Sequence, residues 1–147
     1  MTSSETTATP AFAELDSYLG EEFSDNHWSD EAVLYAHELV QRLTPADWVQ
    51  LGTTWRSRPS QWQCRCAEVV PWGDRARAVE VLLDMARAAA DDEVVVAAAD
   101  SLRTLQDDGL ELRLPAETAR RVQHVSDRIG GLSTIVINSL LSRARRA

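Results

Sequence analysis

Apolar residues recur every three or four positions over most of this chain, which is the spacing of amphipathic α-helices. The clearest case is residues 73–105, where two such patterns flank a short acidic turn at Asp91 and Asp92. The two patterns predict a helical hairpin, and the acids favour the start of its second helix by accepting hydrogen bonds from the first free N–H groups. The apolar positions are Val79, Leu82, Leu83 and Ala86 in the first half, and Val95, Ala98, Ala99, Leu102 and Leu105 in the second.

Helix start signals divide the N-terminal half of the chain into further helices. The first helix is expected to end near Gly20, and Ser29 is then expected to be the N-cap of the next one. Thr44, Pro45 and Asp47 form a stronger signal, because a threonine cap, a proline at the first helical position and an acid at the third are typical of a helix N-terminus. A third helix is therefore predicted to begin after Thr44.

One more pair of helices is predicted before the central hairpin and one after it. Before it, Pro59 separates two helices that each carry tryptophan on the apolar face. After it, residues 109–114 alternate apolar and polar side chains, which favours an extended segment. Pro115 then opens a helix that ends at Gly130, and a last apolar helix follows. A single hairpin cannot bury both of its apolar faces, so we expect the pairs to stack.

The second helix of the central hairpin resembles a known repeat. An acidic start, paired valines, small residues and spaced leucines, as in the second helix of a HEAT-type repeat, are found at Asp92, Val95, Val96, Ala98, Ala99, Leu102 and Leu105. The chain departs from that pattern at Thr104, where the repeats usually have glycine. The resemblance implies an all-α fold, a short right-handed solenoid of about three stacked helical hairpins after an N-terminal helix.

Length and composition indicate one folded domain. The chain has 147 residues, of which 44% are hydrophobic, and this is enough to form one core. We expect a disordered tail at residues 1–10, which are rich in Thr and Ser, and a single helical-repeat domain over residues 11–147. The N-terminus lacks the basic and apolar regions of a secretion signal, and no stretch is as long as a membrane span, so we expect a cytoplasmic protein.

Acidic residues outnumber basic ones. The 23 Asp and Glu residues against 15 Lys and Arg give a net charge of −8. Such a charge argues against binding to nucleic acid or to an anionic membrane and favours a cationic partner. The excess of acids is greatest over residues 1–58, whereas the chain finishes on Arg143, Arg145 and Arg146.

We find no motif for catalysis or for a cofactor. The three histidines are scattered, and His37 lacks the second ligand that a zinc-protease helix needs. Cys64 and Cys66 lie two apart in a predicted helix and so point to different faces, which excludes a disulfide between them and disfavours a shared metal. We therefore interpret Cys66 as core, and expect no cofactor, no metal and no enzymatic activity.

Two features indicate a surface for a protein partner. Trp72 lies in the corner between Pro71 and Gly73, off any apolar stripe, whereas Trp48, Trp55 and Trp62 lie on apolar faces and are expected in the core. Acidic residues lie on or beside two helices that would line one side of a stacked array, and they would make a concave face strongly negative. These candidate acids are Glu68, Asp92, Glu93, Asp100, Asp107 and Asp108.

A small acidic helical array without catalytic residues resembles the immunity proteins of bacterial toxin systems. This resemblance implies a monomer that binds a basic toxin domain and covers its active site, with the acids steering the encounter. Two alternatives stay open. One is a non-catalytic structural or regulatory adaptor, which could be a homodimer joined through its tryptophan-rich end. The other is a small enzyme that uses His37 with nearby acids.

Overall fold

The structure is a computed structural model that describes residues 10–146, and helices make up most of this range. The all-α class is confirmed, while the solenoid arrangement stays a prediction. No helix in the described range is long and apolar enough to cross a membrane. In chain order the α-helices are α1 (Pro10–Leu19), α2 (Asp25–His27), α3 (Val33–Gln41), α4 (Pro45–Thr54), α5 (Ser60–Val69), α6 (Arg75–Ala88), α7 (Asp92–Asp107), α8 (Ala116–Ile129) and α9 (Leu132–Arg143).

The chain divides into two compact units. The N-terminal unit ends at Arg77, and the C-terminal unit begins at Ala78. The single domain expected over residues 11–147 stays a prediction.

The first helices begin earlier than expected. Pro10, expected in the tail, is the first residue of α1, because its fixed φ suits the first turn of a helix. Residues 1–9 of the expected tail lie outside the described residues. Ser29 is not an N-cap, because it lies inside the π-helical turn Trp28–Ala32 that joins α2 to α3. The residue in the capping role is Ser24, whose Oγ accepts the backbone N–H of His27 at 3.1 Å.

The start signal of α4 is confirmed as a capping box. The Oγ1 of Thr44 accepts the backbone N–H of Asp47 at 3.2 Å, and Oδ2 of Asp47 accepts the backbone N–H of Thr44 at 2.8 Å. The other carboxylate oxygen of Asp47 accepts the backbone N–H of Phe12 at 3.3 Å. This fully buried carboxylate therefore joins the start of α4 to α1.

Several tryptophan side chains lie in the core of the N-terminal unit. The predicted core positions Trp48, Trp55 and Trp62 are each no more than 4% exposed. The indole N–H of Trp62 donates to the carbonyl of Asp16 at 3.0 Å, so its polar atom is satisfied. Cys66 is confirmed as core, and burial raises the pKa of its thiol, which stays protonated.

The helices predicted over residues 73–105 are confirmed as α6 and α7. Every predicted apolar position of α7 is buried, whereas Val79 and Leu83 of α6 are only half-buried, because Val81 and Met85 take the core positions. The backbone N–H groups of Val94 and Val95 donate to the backbone carbonyl of Asp91, whose side chain makes no capping hydrogen bond. The capping role expected of the acids is therefore wrong for Asp91.

In the C-terminal unit α7 packs closely against α8 and α9. The extended segment is confirmed in part as β1 (Arg113–Leu114), which pairs in parallel with β2 (Arg145–Arg146). Its apolar residues Leu112 and Leu114 are buried, as the alternating pattern predicts. The side-chain amide of Gln106 donates to the carbonyl of Leu140 at 3.2 Å and links α7 to α9.

Candidate functional site

Four side chains of the N-terminal unit meet around His37. His37 comes from α3, Trp28 from the π-helical turn before α3, Glu68 from α5, and Trp72 from the 3₁₀ turn Val70–Trp72. The rings of His37 and Trp72 stack with centroids 4.2 Å apart and planes 22° apart, and the indole N–H of Trp28 donates to Oε1 of Glu68 at 3.2 Å. We call these four residues the His37 cluster.

Trp72 is a large apolar side chain held at the surface. It is 54% exposed, although tryptophan is usually well covered. The backbone next to it is packed tightly, because a Cβ atom added at Gly73 would lie 2.6 Å from Cγ1 of Val40 and 2.8 Å from the ring of Trp48. With its backbone packed in this way and one ring face covered by His37, the indole presents its other face to solvent in a defined orientation.

The electrostatics of the cluster keep His37 neutral at neutral pH. Burial lowers the pKa of His37 below its ordinary value, and the nearby charge of Glu68 opposes this shift only in part. A neutral imidazole stacked on an indole forms one flat, weakly polar patch. The exposed carboxylate of Glu68 lies beside that patch.

Arg65 supports the cluster from beneath. The residue is 5% exposed, and its guanidinium lies 5.0 Å from the ring centroid of Trp28 and 5.2 Å from that of Phe23. It donates to the carbonyls of Leu19 at 3.1 Å and Glu21 at 2.7 Å. The loop after α1 and the ring of Trp28 are thereby fixed to α5.

The solvent side of α3 extends the apolar patch and adds acids. Leu34, one turn before His37, is 59% exposed, and Tyr35 is 36% exposed. Glu38 of α3 and Glu31 of the preceding π-helical turn are exposed, and their helical spacing puts them on the same side as Leu34. We call Glu31, Leu34, Tyr35 and Glu38 the α3 face. The phenol of Tyr35 donates to the carboxylate of Glu14, and this hydrogen bond raises the pKa of Tyr35.

Most of the excess negative charge belongs to the N-terminal unit. Residues 1–77 contain 12 acidic residues and 6 arginines, a net charge of −6. Residues 78–147 contain 11 acidic residues and 9 arginines, a net charge of −2. The unit that presents the His37 cluster is thus the strongly acidic one.

Five of the predicted site residues lie in the other unit, and three of these are paired with arginine. Asp92 binds Arg128 with one oxygen 2.8 Å from Nε, and this contact lowers the pKa of Asp92. The remaining pairs are Asp100 with Arg103 at 2.9 Å and Asp107 with Arg143 at 2.7 Å. The strongly negative face expected from α7 is therefore largely neutralised, because arginines from within α7 and from α8 and α9 lie against its acids.

Glu93 and Asp108 are exposed in the same unit, Glu93 in the first turn of α7 and Asp108 directly after its last residue. The structure thus brings together Glu68 and Trp72, through His37, whereas the other five predicted acids belong to the C-terminal unit. The sequence indicated His37 only as a candidate catalytic residue, and it did not indicate Trp28 or Leu34 as part of a binding site. The one signal for these residues in the sequence is that Leu34 and His37 are three residues apart on α3 and so are neighbours on its surface. This spacing does not indicate that they lie near Trp72.

No model of a protein family, no curated protein and no solved structure matches this chain. The residues described, 10–146, contain no group of three or more His, Cys, Asp and Glu side chains placed to hold a metal ion. The His37 cluster offers an exposed indole face, a neutral imidazole and a carboxylate. This arrangement suits recognition of a surface that carries both apolar and cationic groups.

Proposed function

We propose that the protein is a non-catalytic protein-binding module, an immunity protein that neutralises a cationic bacterial toxin domain by covering its active site. The observation that carries the proposal is Trp72, which is 54% exposed and stacked on His37 in a unit of net charge −6. Its partner-binding surface is the His37 cluster together with the α3 face.

Trp72 supplies the apolar anchor of this surface. Tryptophan is enriched among the residues that contribute most to protein interfaces. Burying the exposed part of the Trp72 side chain would remove on the order of 100 Å² of apolar area from water, which contributes about 2.5 kcal/mol. Because its ring is already oriented by His37, little side-chain entropy is lost on binding.

The acids supply the charge complementarity. Glu31, Glu38 and Glu68 flank the apolar residues Leu34 and Trp72, so a cationic surface meets carboxylates around an apolar centre. A domain that acts on nucleic acid has a basic active site, because it must hold phosphates. An acidic surface of this kind would occupy that site and would be attracted to it from a distance.

The proposal is tested by capturing the partner from a lysate of the native host with the wild-type protein and two variants. Trp72→Ala removes the anchor, and Val49→Ala is the matched control, because Val49 is an exposed apolar residue of α4 outside the proposed surface. We expect wild type and Val49→Ala to retain a basic protein that high salt releases, and Trp72→Ala to lose it.

The captured protein is then expressed alone and together with the wild-type chain. The proposal requires that it stop growth when alone and that co-expression restore growth. A partner that is harmless, resists high salt and binds Trp72→Ala equally would contradict neutralisation and support the adaptor function. In that case light scattering would show whether the chain is a stable dimer, against the monomer that we expect.

A further inference from the structure

A groove on the C-terminal unit has no part in the His37 cluster. It has a volume of about 460 Å³ and lies between α7 on one side and the end of α8 and the first turns of α9 on the other. Its lining includes Glu93, Val96, Ala97 and Asp100 from α7, with Ile129 and Val136 opposite.

The α7 side of the groove is a stripe with acids at both ends. Glu93, Val96, Ala97 and Asp100 are spaced as neighbours on one face of a helix, and the two acids are two turns apart, about 10 Å along the axis. The small side chain of Ala97 leaves room at the middle of the stripe. The stripe thus has a carboxylate at each end and an apolar section between them, over the length of a short helix.

The opposite wall is mainly apolar and partly exposed. Ile129 is 44% exposed, and Val136 is half-buried. Ser133 of α9 completes this wall. Exposed aliphatic residues that gather at one groove mark a surface that another molecule covers.

The charges at the groove decide which molecule fits. Glu93 is exposed, and no salt bridge joins it to another side chain in the part of the chain that the structure describes. The Asp100 side chain is 52% exposed, and one of its oxygens binds Arg103. A second copy of this acidic chain would repel these carboxylates, whereas a lysine or arginine would pair with Glu93 at one end and, at the other, with the exposed carboxylate of Asp100, which Arg103 neutralises only in part.

We propose that this groove binds an amphipathic helix of a partner protein, with aliphatic side chains over Ala97 and two basic residues, seven positions apart, against Glu93 and Asp100. Helices that lie in apolar grooves place their anchors at this helical spacing. The inference is independent of the proposed function, because the groove and the His37 cluster belong to different units and have no residue in common.

The test uses a synthetic peptide of about 16 residues with a helix-favouring sequence, because isolated helices shorter than about 12–15 residues are marginal in water. It carries two leucines between two arginines that are seven positions apart. A scrambled peptide of the same composition controls for unspecific attraction to an acidic protein. Binding is followed by ¹H–¹⁵N correlation spectra of the full chain during titration, which locate the contact and give the dissociation constant.

We expect saturable shifts centred on Val96, Ala97 and Val136, and at least tenfold weaker binding of the scrambled peptide. Ala97→Trp, which fills the groove, should weaken binding at least tenfold. The double variant Glu93→Gln and Asp100→Asn keeps the shape of the groove and should weaken binding while flattening its salt dependence.

Two controls separate this result from the proposed function. Trp72→Ala, in the other unit, and Glu80→Gln, an exposed acid of α6, should bind the helical peptide as the wild type does. The proposal is overturned if no saturable shifts occur, if both peptides bind alike, or if the double variant binds with unchanged affinity. The double variant decides the question even if Ala97→Trp fails to fold.

Discussion

Replacing Arg65 with methionine tests whether a buried cation holds the N-terminal unit together. Arg65 is 5% exposed and donates from Nη1 to the carbonyls of Leu19 and Glu21. Leu19 ends α1, so the guanidinium satisfies a carbonyl at the negative end of that helix. Methionine keeps much of the side-chain length but has neither the charge nor the donors.

The expected loss follows from these contacts. Two hydrogen bonds from a charged donor contribute about 1.5 kcal/mol each. The contacts with the rings of Phe23 and Trp28 add about 0.5 kcal/mol each. Methionine also removes the unfavourable burial of a charge, which offsets about 1 kcal/mol or more. We therefore expect Arg65→Met to lower the free energy of unfolding by about 2–3 kcal/mol, and Arg65→Lys to lower it by less because lysine keeps the charge.

The assay is urea unfolding followed by tryptophan fluorescence, with Arg75→Met as the control. Arg75 is exposed at the start of α6 and should change stability by less than about 0.5 kcal/mol. If Arg65→Met were as mild as Arg75→Met, the guanidinium would not support the loop after α1. The position of Trp28 in the His37 cluster would then need another cause.

Three further changes test the packing and the pH response of the N-terminal unit by the same urea assay. Gly73→Ala should destabilise by about 2 kcal/mol through overpacking. Its control is Gly52→Ala, in a helix where the added carbon meets no neighbouring element within 4 Å, and this variant should stabilise by about 0.5 kcal/mol. Equal effects of the two variants would contradict the tight packing at Gly73. Asp47→Ala should destabilise by about 2 kcal/mol, because the buried N–H of Phe12 and the α4 cap lose their acceptor; a loss below about 0.5 kcal/mol would contradict it. Since the pKa of His37 is lowered in the folded protein, the unfolded chain binds the proton more readily, so stability should fall as pH decreases from above about 6.5 towards the lower folded pKa. His37→Gln should weaken that decline, and an identical pH profile for both proteins would refute the lowered pKa.

The local signals of this sequence predicted much of the helical structure. Thr44, Pro45 and Asp47 lie within four residues of one another, so their capping box depends on nothing distant. The apolar spacing of α7 likewise predicted its buried face, because one helix is long enough for the period to be clear. The exposure of Trp72 followed from its place off any apolar stripe.

The rest depends on contacts between residues far apart in sequence. Ser24 and Ser29 are both suitable caps. Ser24 is the cap in the structure, where Trp28 is buried and its indole N–H donates to Glu68, 40 residues away. The pairing of Asp92 with Arg128 joins residues 36 positions apart, and no local pattern indicates it.

The helical spacing alone, without regard to charge, places Arg65 on the buried face of α5. It lies three residues after Trp62 and four before Val69, on the buried face of α5. Because arginine is usually exposed, the apolar pattern of α5 does not predict that Arg65 is buried. Its burial becomes understandable only when the carbonyls at the end of α1 are present as acceptors.

The most direct test of the account is the affinity of the captured partner for Trp72→Ala relative to wild type, with Val49→Ala as the control. From the area that Trp72 exposes, we expect a loss of about 2.5 kcal/mol, or about sixtyfold in the dissociation constant. Val49→Ala should stay within about twofold of wild type. Equal affinities of Trp72→Ala and wild type would contradict the claim that this protein binds its partner through the His37 cluster.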